Sequence, residues 1–410
     1  MLTEESKKRI LILTADVGFG HRSAANAVAA ALLERYTDYC QVEIVNPLDD
    51  KHTPALLRET QTDYDKLVKR MPESYKVSYH ISNEPVPNAI VEQTLTLLLF
   101  NVLSNLIKHM QPDAVVVTNS IYLAPLKSVL AIHRISTPYQ TVITDMTKVH
   151  RQWFNDGADD IFVPTSDVLQ QGLSFGFSED RLHLTGIPVN VAIVRETRSQ
   201  QDIRKELGWD FDKTTLLVVG SKRVNNLDDV IHVVNHSGLA MQLVVVAGGD
   251  DDLYSRMSQV EWHTNAYLYN FVDKMPDLLH AADCIISKAG GLIVSEALAC
   301  GLPFLFVDVT PGQEEGNADY VIRNKAGERA ISAVDALEIL CHWTMGGNEV
   351  LRQYAGYSRN LGRPYAAYEI AELIWQAVER GRSNRSLMSA KAIARLREAL
   401  NNFGFSGESM

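Results

Sequence analysis

The chain has 410 residues, too many for one ordinary core and suited to two domains. Hydrophobic residues make up 46% and charged residues 22%, the balance of a soluble globular protein, and a formal net charge of −11 argues against a nucleic-acid partner. Cys40, Cys284, Cys300 and Cys341 show no CxxC spacing, so they read as buried thiols of a reducing compartment, not as metal ligands or disulfides.

The N-terminal apolar run is too short for a secretion signal. Ile10–Thr14 (ILILT) reads as a buried strand, Ala24–Tyr36 as an alanine-rich helix and Val42–Val45 as a second strand. Leu95–Met110 reads as a helix leading into the strand Ala114–Thr118, and Thr141–Thr144 and Asp160–Val163 read as further strands. Short apolar strands alternating with helices predict a mostly parallel sheet covered on both faces. Turn residues in Thr185–Asn190, with polar sequence after them, mark a domain boundary. A second series follows, with strands at Thr215–Val219, Leu243–Ala247, Cys284–Ser287 and Phe304–Val307. The division is therefore residues 1–188, 189–365, and a C-terminal helix with a basic tail at 366–410.

In the last part, Ala366–Glu379 has helical apolar spacing, and Arg380–Met410 holds six basic and two acidic residues. Leu387–Leu400 can form an amphipathic helix with Ile393, Leu396, Leu400 and Phe403 on one face and Lys391 and Arg395 on another. No stretch reads as the ~20 apolar residues needed to span a bilayer. The best, Leu95–Ile107, is interrupted by Asn101, Ser104 and Asn105. The expectation is a cytoplasmic protein that touches the inner face of a membrane peripherally, through that segment and the basic tail. The plainer alternatives are a helix packed in the first domain and a disordered end.

Three strand-to-helix junctions carry chemistry. In the first, Asp16-Val17-Gly18-Phe19-Gly20-His21-Arg22-Ser23, glycines let the backbone turn tightly and bring N–H groups near a ligand. A dinucleotide fingerprint fails there, because Ser23 occupies its third glycine position and Asp49 lies beyond Pro47, past its strand. His21 is placed to take a proton from an acceptor hydroxyl, or only to satisfy backbone groups. Asp16 is open between capping the turn, orienting His21 and acting as the base.

The second junction is Ser287-Lys288-Ala289-Gly290-Gly291 leading into a helix. Free N–H groups at such a helix start suit a diphosphate. Glu296, in the second turn, suits ribose hydroxyls, and Gly301 closes the helix. The alternative is a plain βα unit with glycines chosen for packing. The third junction, Thr310–Ala318, offers Gln313, Glu314 and Asn317 to sugar hydroxyls, or is a solvated helix cap.

Taken together, GFGHRSAANAV (18–28), TDMTKVHRQWF (144–154), LTGIPVN (184–190), MPDLLHAADCIISKAGGLIVSEALACGLP (275–303) and PGQEEGNA (311–318) resemble the lipid-sugar glycosyltransferases of glycosyltransferase family 28. Monogalactosyldiacylglycerol synthases and processive diacylglycerol glucosyltransferases are the nearest. The resemblance runs to about residue 380. It implies an α/β GT-B fold, with two Rossmann-like domains of mostly parallel sheet facing across a cleft. It also implies an inverting transfer with no cofactor and no required metal. Carried onto matching positions, it puts Val272 at the uracil, Glu296 at the ribose, Gly290 and Gly291 at the diphosphate, and Gln313 and Glu314 at the hexose. On the acceptor side it puts Gly20, His21, Asp145 and His150.

One departure from the family pattern stands at Val219–Val224, where a glycine-rich loop is reduced to Gly220-Ser221-Lys222-Arg223. Lys222 and Arg223 can supply charge to the diphosphate instead. The implied reaction moves glucose or galactose from UDP-hexose to diacylglycerol or a glycolipid. His21 is the first choice of base, with Asp16 and Asp145 behind it. Two other functions stay open on the same fold: a UDP-sugar epimerase, and a non-catalytic sensor that binds a UDP-sugar.

Overall fold

A computed structural model describes residues 7–16, 19–55, 57–59, 82–222, 224, 227–310, 314–383 and 388–402. The chain divides into two compact units. One comprises Met1–Pro188 with Tyr365–Met410, the other Val189–Pro364.

The first unit holds strands β1 (Lys8–Leu13), β2 (Cys40–Val45), β3 (Ala114–Val117), β4 (Tyr139–Val142), β5 (Asp160–Val163) and β6 (Leu182–Leu184). All pair in parallel, in the order β2-β1-β3-β4-β5-β6. β-branched runs such as Ala114–Val117 are buried throughout, as strands covered on both faces must be. The strand order reverses between β1 and β3, so the chain leaves these neighbours toward opposite sides of the sheet. That reversal opens a crevice at the carboxyl ends of the two strands, where ligands of such sheets bind.

Around this sheet lie the helices Phe19–Tyr36, Pro85–Met110, Leu123–His133 and Ser166–Ser174, with the C-terminal helices Ala366–Arg380 and Ala390–Asn402. Ala366–Arg380 buries Ile370, Ala371, Ile374 and Ala377. It also ties to Phe19–Tyr36 by Tyr36 Oη donating to Glu372 at 2.7 Å and Tyr368 Oη donating to Glu34 at 2.8 Å.

The second unit repeats the plan with β7 (Thr214–Val219), β8 (Met241–Val246), β9 (Asn265–Tyr269), β10 (Cys284–Lys288), β11 (Phe304–Asp308) and β12 (Gly327–Arg329). Its order is β12-β11-β10-β7-β8-β9, all parallel, and it reverses between β7 and β10.

Several expectations need correction. β6, β9 and β12 are unannounced by the apolar pattern. Each is an edge or near-edge strand with polar residues, as in Gly327-Glu328-Arg329, so no hydrophobic run marks it. β4 ends at Val142, so Ile143 and Thr144 fall in the loop after it. The helix predicted from Leu95 begins at Pro85, which makes it long and apolar enough to cross a membrane by length and composition. Leu99, Phe100, Leu103 and Ile107 nevertheless pack into the first unit's core, and its interrupting Ser104 is bonded to His133 Nε2 at 2.7 Å.

The tail differs in the same sense. Ala390–Asn402 folds as the predicted amphipathic helix, but its apolar face is not offered to a membrane. Leu400 is fully buried in the first unit's core, with Ile393 and Leu396 packed against it. Phe403 lies outside the described residues. Leu400→Ala is expected to lower the first unit's stability by about 2–4 kcal/mol, through lost burial and a residual cavity. Denaturant unfolding followed by tryptophan fluorescence checks this.

Candidate functional site

In the first unit, the turn after β1 delivers His21 to the crevice beside β3. Its Nδ1 lies 2.8 Å from the Thr118 carbonyl oxygen and 3.1 Å from Thr144 Oγ1. A carbonyl only accepts, so Nδ1 carries the hydrogen and Nε2 presents its lone pair. Burial pushes the His21 pKa down to about 4, against a smaller opposing effect of the Thr118 bond, so the ring is neutral at physiological pH. The buried Trp153 ring stands 6.0 Å away as an apolar wall. A Cβ added to Gly20 would meet nothing within 4 Å, so Gly20 borders open space and is not held by close packing.

The other acceptor-side residues separate by role. Asp16 is gripped by Arg22, with Nε and Nη2 each 2.8 Å from a carboxylate oxygen, and Asn46 Nδ2 adds a bond at 3.1 Å. Those bonds, the Arg22 bond foremost, hold its carboxyl below the usual range, which makes Asp16 a brace for the turn and a poor base. His150 Nδ1 accepts from the Gln152 backbone N–H at 3.2 Å and caps the turn Arg151–Trp153. Nε2 therefore carries the hydrogen, and it lies 3.1 Å from Ser82 Oγ. Burial lowers the His150 pKa to about 4, and both nitrogens are engaged, so it is a structural cap. Asp145 is half-buried and directly follows Thr144, which contacts His21.

In the second unit the corresponding crevice lies between β7 and β10. Ser287 Oγ donates to Val219 O at 2.6 Å and ties the two strands where they diverge. Gly290 is the N-cap of the helix Gly291–Ala299, and among the described residues no side chain caps that helix start. Gly301 ends the turn after it at φ +74°, as predicted.

Glu296 is buried, and its carboxylate accepts from the Asn190 backbone N–H. Burial pushes its pKa up to about 7 despite that bond. Asn190 Oδ1 in turn accepts from the Ala192 N–H at 3.0 Å, at the start of the short helix Ala192–Arg195. The motif TGIPVN thus does more than mark a boundary, because its last residue positions Glu296.

At the third junction, Glu314 pairs with Lys288 and accepts from the Thr310 N–H at 3.2 Å. Asn317, expected among the sugar-binding residues, is fully buried and donates to the Ala289 carbonyl at 2.9 Å. It fixes the backbone between Lys288 and Gly290 instead. Lys288 escapes the motif reading. Only its place as the last residue of β10, directly before the glycines, signals it.

The departure after β7 also has a physical reading. Gly248, at φ +66°, sits so close to Gly220 that an added Cβ would lie 2.2 Å from the Gly220 carbonyl oxygen. A Cβ added to Gly220 itself would lie 2.6 Å from Leu253 Cδ2, so both glycines serve the packing of these two loops. Ser221 is half-buried and Lys222 exposed in the turn that follows. Val272 is half-buried in the loop after β9, three strands from β10. Arg223 and Gln313 lie outside the described residues. Among the described residues, no group of three or more His, Cys, Asp or Glu side chains is placed to hold a metal ion.

Comparison with known proteins follows the same division. Residues 21–189 match the family described as monogalactosyldiacylglycerol (MGDG) synthase, and residues 214–335 match the glycosyltransferase family 28 C-terminal domain. A probable monogalactosyldiacylglycerol synthase of Glycine max is 30% identical over 386 residues, covering 91% of this chain and 72% of the relative. Among solved structures, MurG of Acinetobacter baumannii aligns with a TM-score of 0.59 at 14% identity, covering 90% of this chain and 99% of that one. The UDP-GlcNAc 2-epimerase of Neisseria meningitidis bound to UDP-GlcNAc aligns with a TM-score of 0.57 at 13% identity, covering 91% and 100%. These distant likenesses show the fold alone, two Rossmann-like domains of GT-B type.

The raised pKa of Glu296 links it to stability. A carboxyl that binds its proton more tightly folded than unfolded favours the fold below about pH 4.5 and loses that contribution as pH rises through about 7. Glu296→Gln is therefore expected to stabilise the chain by about 1–3 kcal/mol at pH 8 and by nothing at pH 4. Thermal melts at the two pH values read the difference.

Proposed function

This chain belongs to the monogalactosyldiacylglycerol synthase family of glycosyltransferases, within glycosyltransferase family 28, and we propose that it moves glucose or galactose from a UDP-hexose to diacylglycerol or a glycolipid, inverting the anomeric carbon. The observation that carries the proposal is the tautomer of His21. A neutral ring with Nδ1–H committed to Thr118 has Nε2 ready to take the proton of an acceptor hydroxyl. Acceptor oxygen then attacks the anomeric carbon as the bond to UDP breaks, and the electron pair of that bond leaves with the diphosphate.

The donor reading rests on the second unit. At ~4.8 Å between strands, the carboxyl ends from β9 to β10 span roughly 14 Å. A nucleoside diphosphate laid along them puts its base at Val272 and its phosphates at Gly290 and Gly291. Glu296 receives the ribose hydroxyls, and Glu314 the hexose. Negative charge growing on the leaving diphosphate meets the free N–H groups of the helix start. The acidic net charge limits attraction to anionic lipid. Peripheral contact with the membrane therefore falls to apolar groups such as Val86 and Ile90, which are 72% and 61% exposed at the N-terminal end of the helix Pro85–Met110.

The test is transfer from radiolabelled UDP-glucose and UDP-galactose to membrane lipid extract, with products resolved by chromatography. Labelled glycolipid is the expected product. Release of an altered free sugar nucleotide without lipid would indicate an epimerase instead. His21→Ala is expected to lower kcat about 10²–10⁴-fold with donor KM little changed, and intact transfer by that variant would remove His21 as the base. A charged carboxylate accepts from ribose hydroxyls better than a neutral one. Donor KM should therefore fall as pH rises through about 7 in the wild type and stay flat in Glu296→Gln.

A further inference from the structure

The second unit contains a positively charged group that the motifs do not assign. Lys288 ends β10, and its Nζ lies 3.7 Å from the position a Cβ on Gly290 would take. An ammonium therefore stands against the same helix N-terminus whose N–H groups have no side-chain cap. Both features attract an anion. The anion actually present is internal: Glu314 pairs with Lys288, and its second oxygen accepts from the Thr310 N–H. The pair is largely withdrawn from water, with side chains 20% and 10% exposed. The loop between them and the glycines is fixed from below by Asn317 donating to Ala289 O and by the Ala289 N–H donating to Asp308 O at 3.2 Å. Lys288 belongs to β10, while the carboxylate that neutralises it comes from the segment after the neighbouring strand β11.

We infer that Lys288 is the cation of the donor site, and that Glu314 occupies it as a stand-in anion until the donor diphosphate displaces the carboxylate. On exchange, Lys288 donates to the diphosphate and stabilises it as it leaves. Glu314 is released at the same moment to accept from hexose hydroxyls. One ion pair then couples recognition of the phosphates to recognition of the sugar. UDP alone must break the pair without recovering the carboxylate's new partners, whereas a UDP-hexose satisfies both halves. This role rests on the donor-site reading given above.

Two substitutions in opposite directions test the exchange, with affinity for UDP and for UDP-glucose and UDP-galactose measured by calorimetry. Lys288→Ala is expected to weaken UDP binding at least about tenfold, with Lys288→Arg retaining most of it. Glu314→Gln frees the ammonium, so it is expected to tighten UDP binding several-fold while losing the preference for UDP-hexose over UDP. A variant that failed to fold could not bind UDP more tightly, so the second result stands apart from any structural damage. A wild-type chain that binds no UDP overturns the donor site itself. A wild type that binds UDP, with Lys288→Ala unchanged or Glu314→Gln no tighter, overturns the exchange alone.

Discussion

A parallel sheet ends all its strands on one edge, and where the strand order reverses, two neighbouring strands send their following segments to opposite sides. The backbone cannot fill the gap between them. In this chain that constraint operates twice, between β1 and β3 and between β7 and β10. Each gap holds the chemistry of its unit. His21 comes from the segment after β1 and is bonded to the end of β3. Lys288 ends β10 and Gly290 follows it, beside the strand to which Ser287 is tied. The remainder of each unit serves to close the sheet faces and hold those segments still.

Polarity divides the two crevices. In the first, burial keeps an imidazole neutral against the smaller opposing effect of its carbonyl partner. In the second, an ammonium paired with a carboxylate stands beside a helix start that has no side-chain cap.

Strands built from runs such as ILIL, AVVV and LVVV announce themselves, because a strand buried on both faces has no room for polar residues. Edge strands such as Gly327–Arg329 have no such requirement and leave no trace in composition. The same contrast runs through the site. Glycine junctions and His21 are visible as local patterns. The partners that decide their roles are distant in sequence: Thr118 lies 97 residues from His21, and Glu314 lies 26 from Lys288. His150 is a second case: the family resemblance puts it on the acceptor side, and its local partners, the Gln152 N–H and Ser82, become visible only in the fold. Asp16 stays open between three roles until Arg22, six residues on, is seen to grip it.

The burial of Leu400 in the first unit bears on how the protein is made. That unit's core is completed by residues from the last tenth of the chain, after the whole of Val189–Pro364 has been passed. A ribosome adding ~5–20 residues per second needs roughly 10–35 s to synthesise that intervening stretch. During this interval the first sheet is present with the surface later covered by Ala366–Arg380 and Ala390–Asn402 still bare. The second unit, whose residues are contiguous, can close before the first is finished. The core of the first unit is therefore complete only once the last residues of the chain have been made.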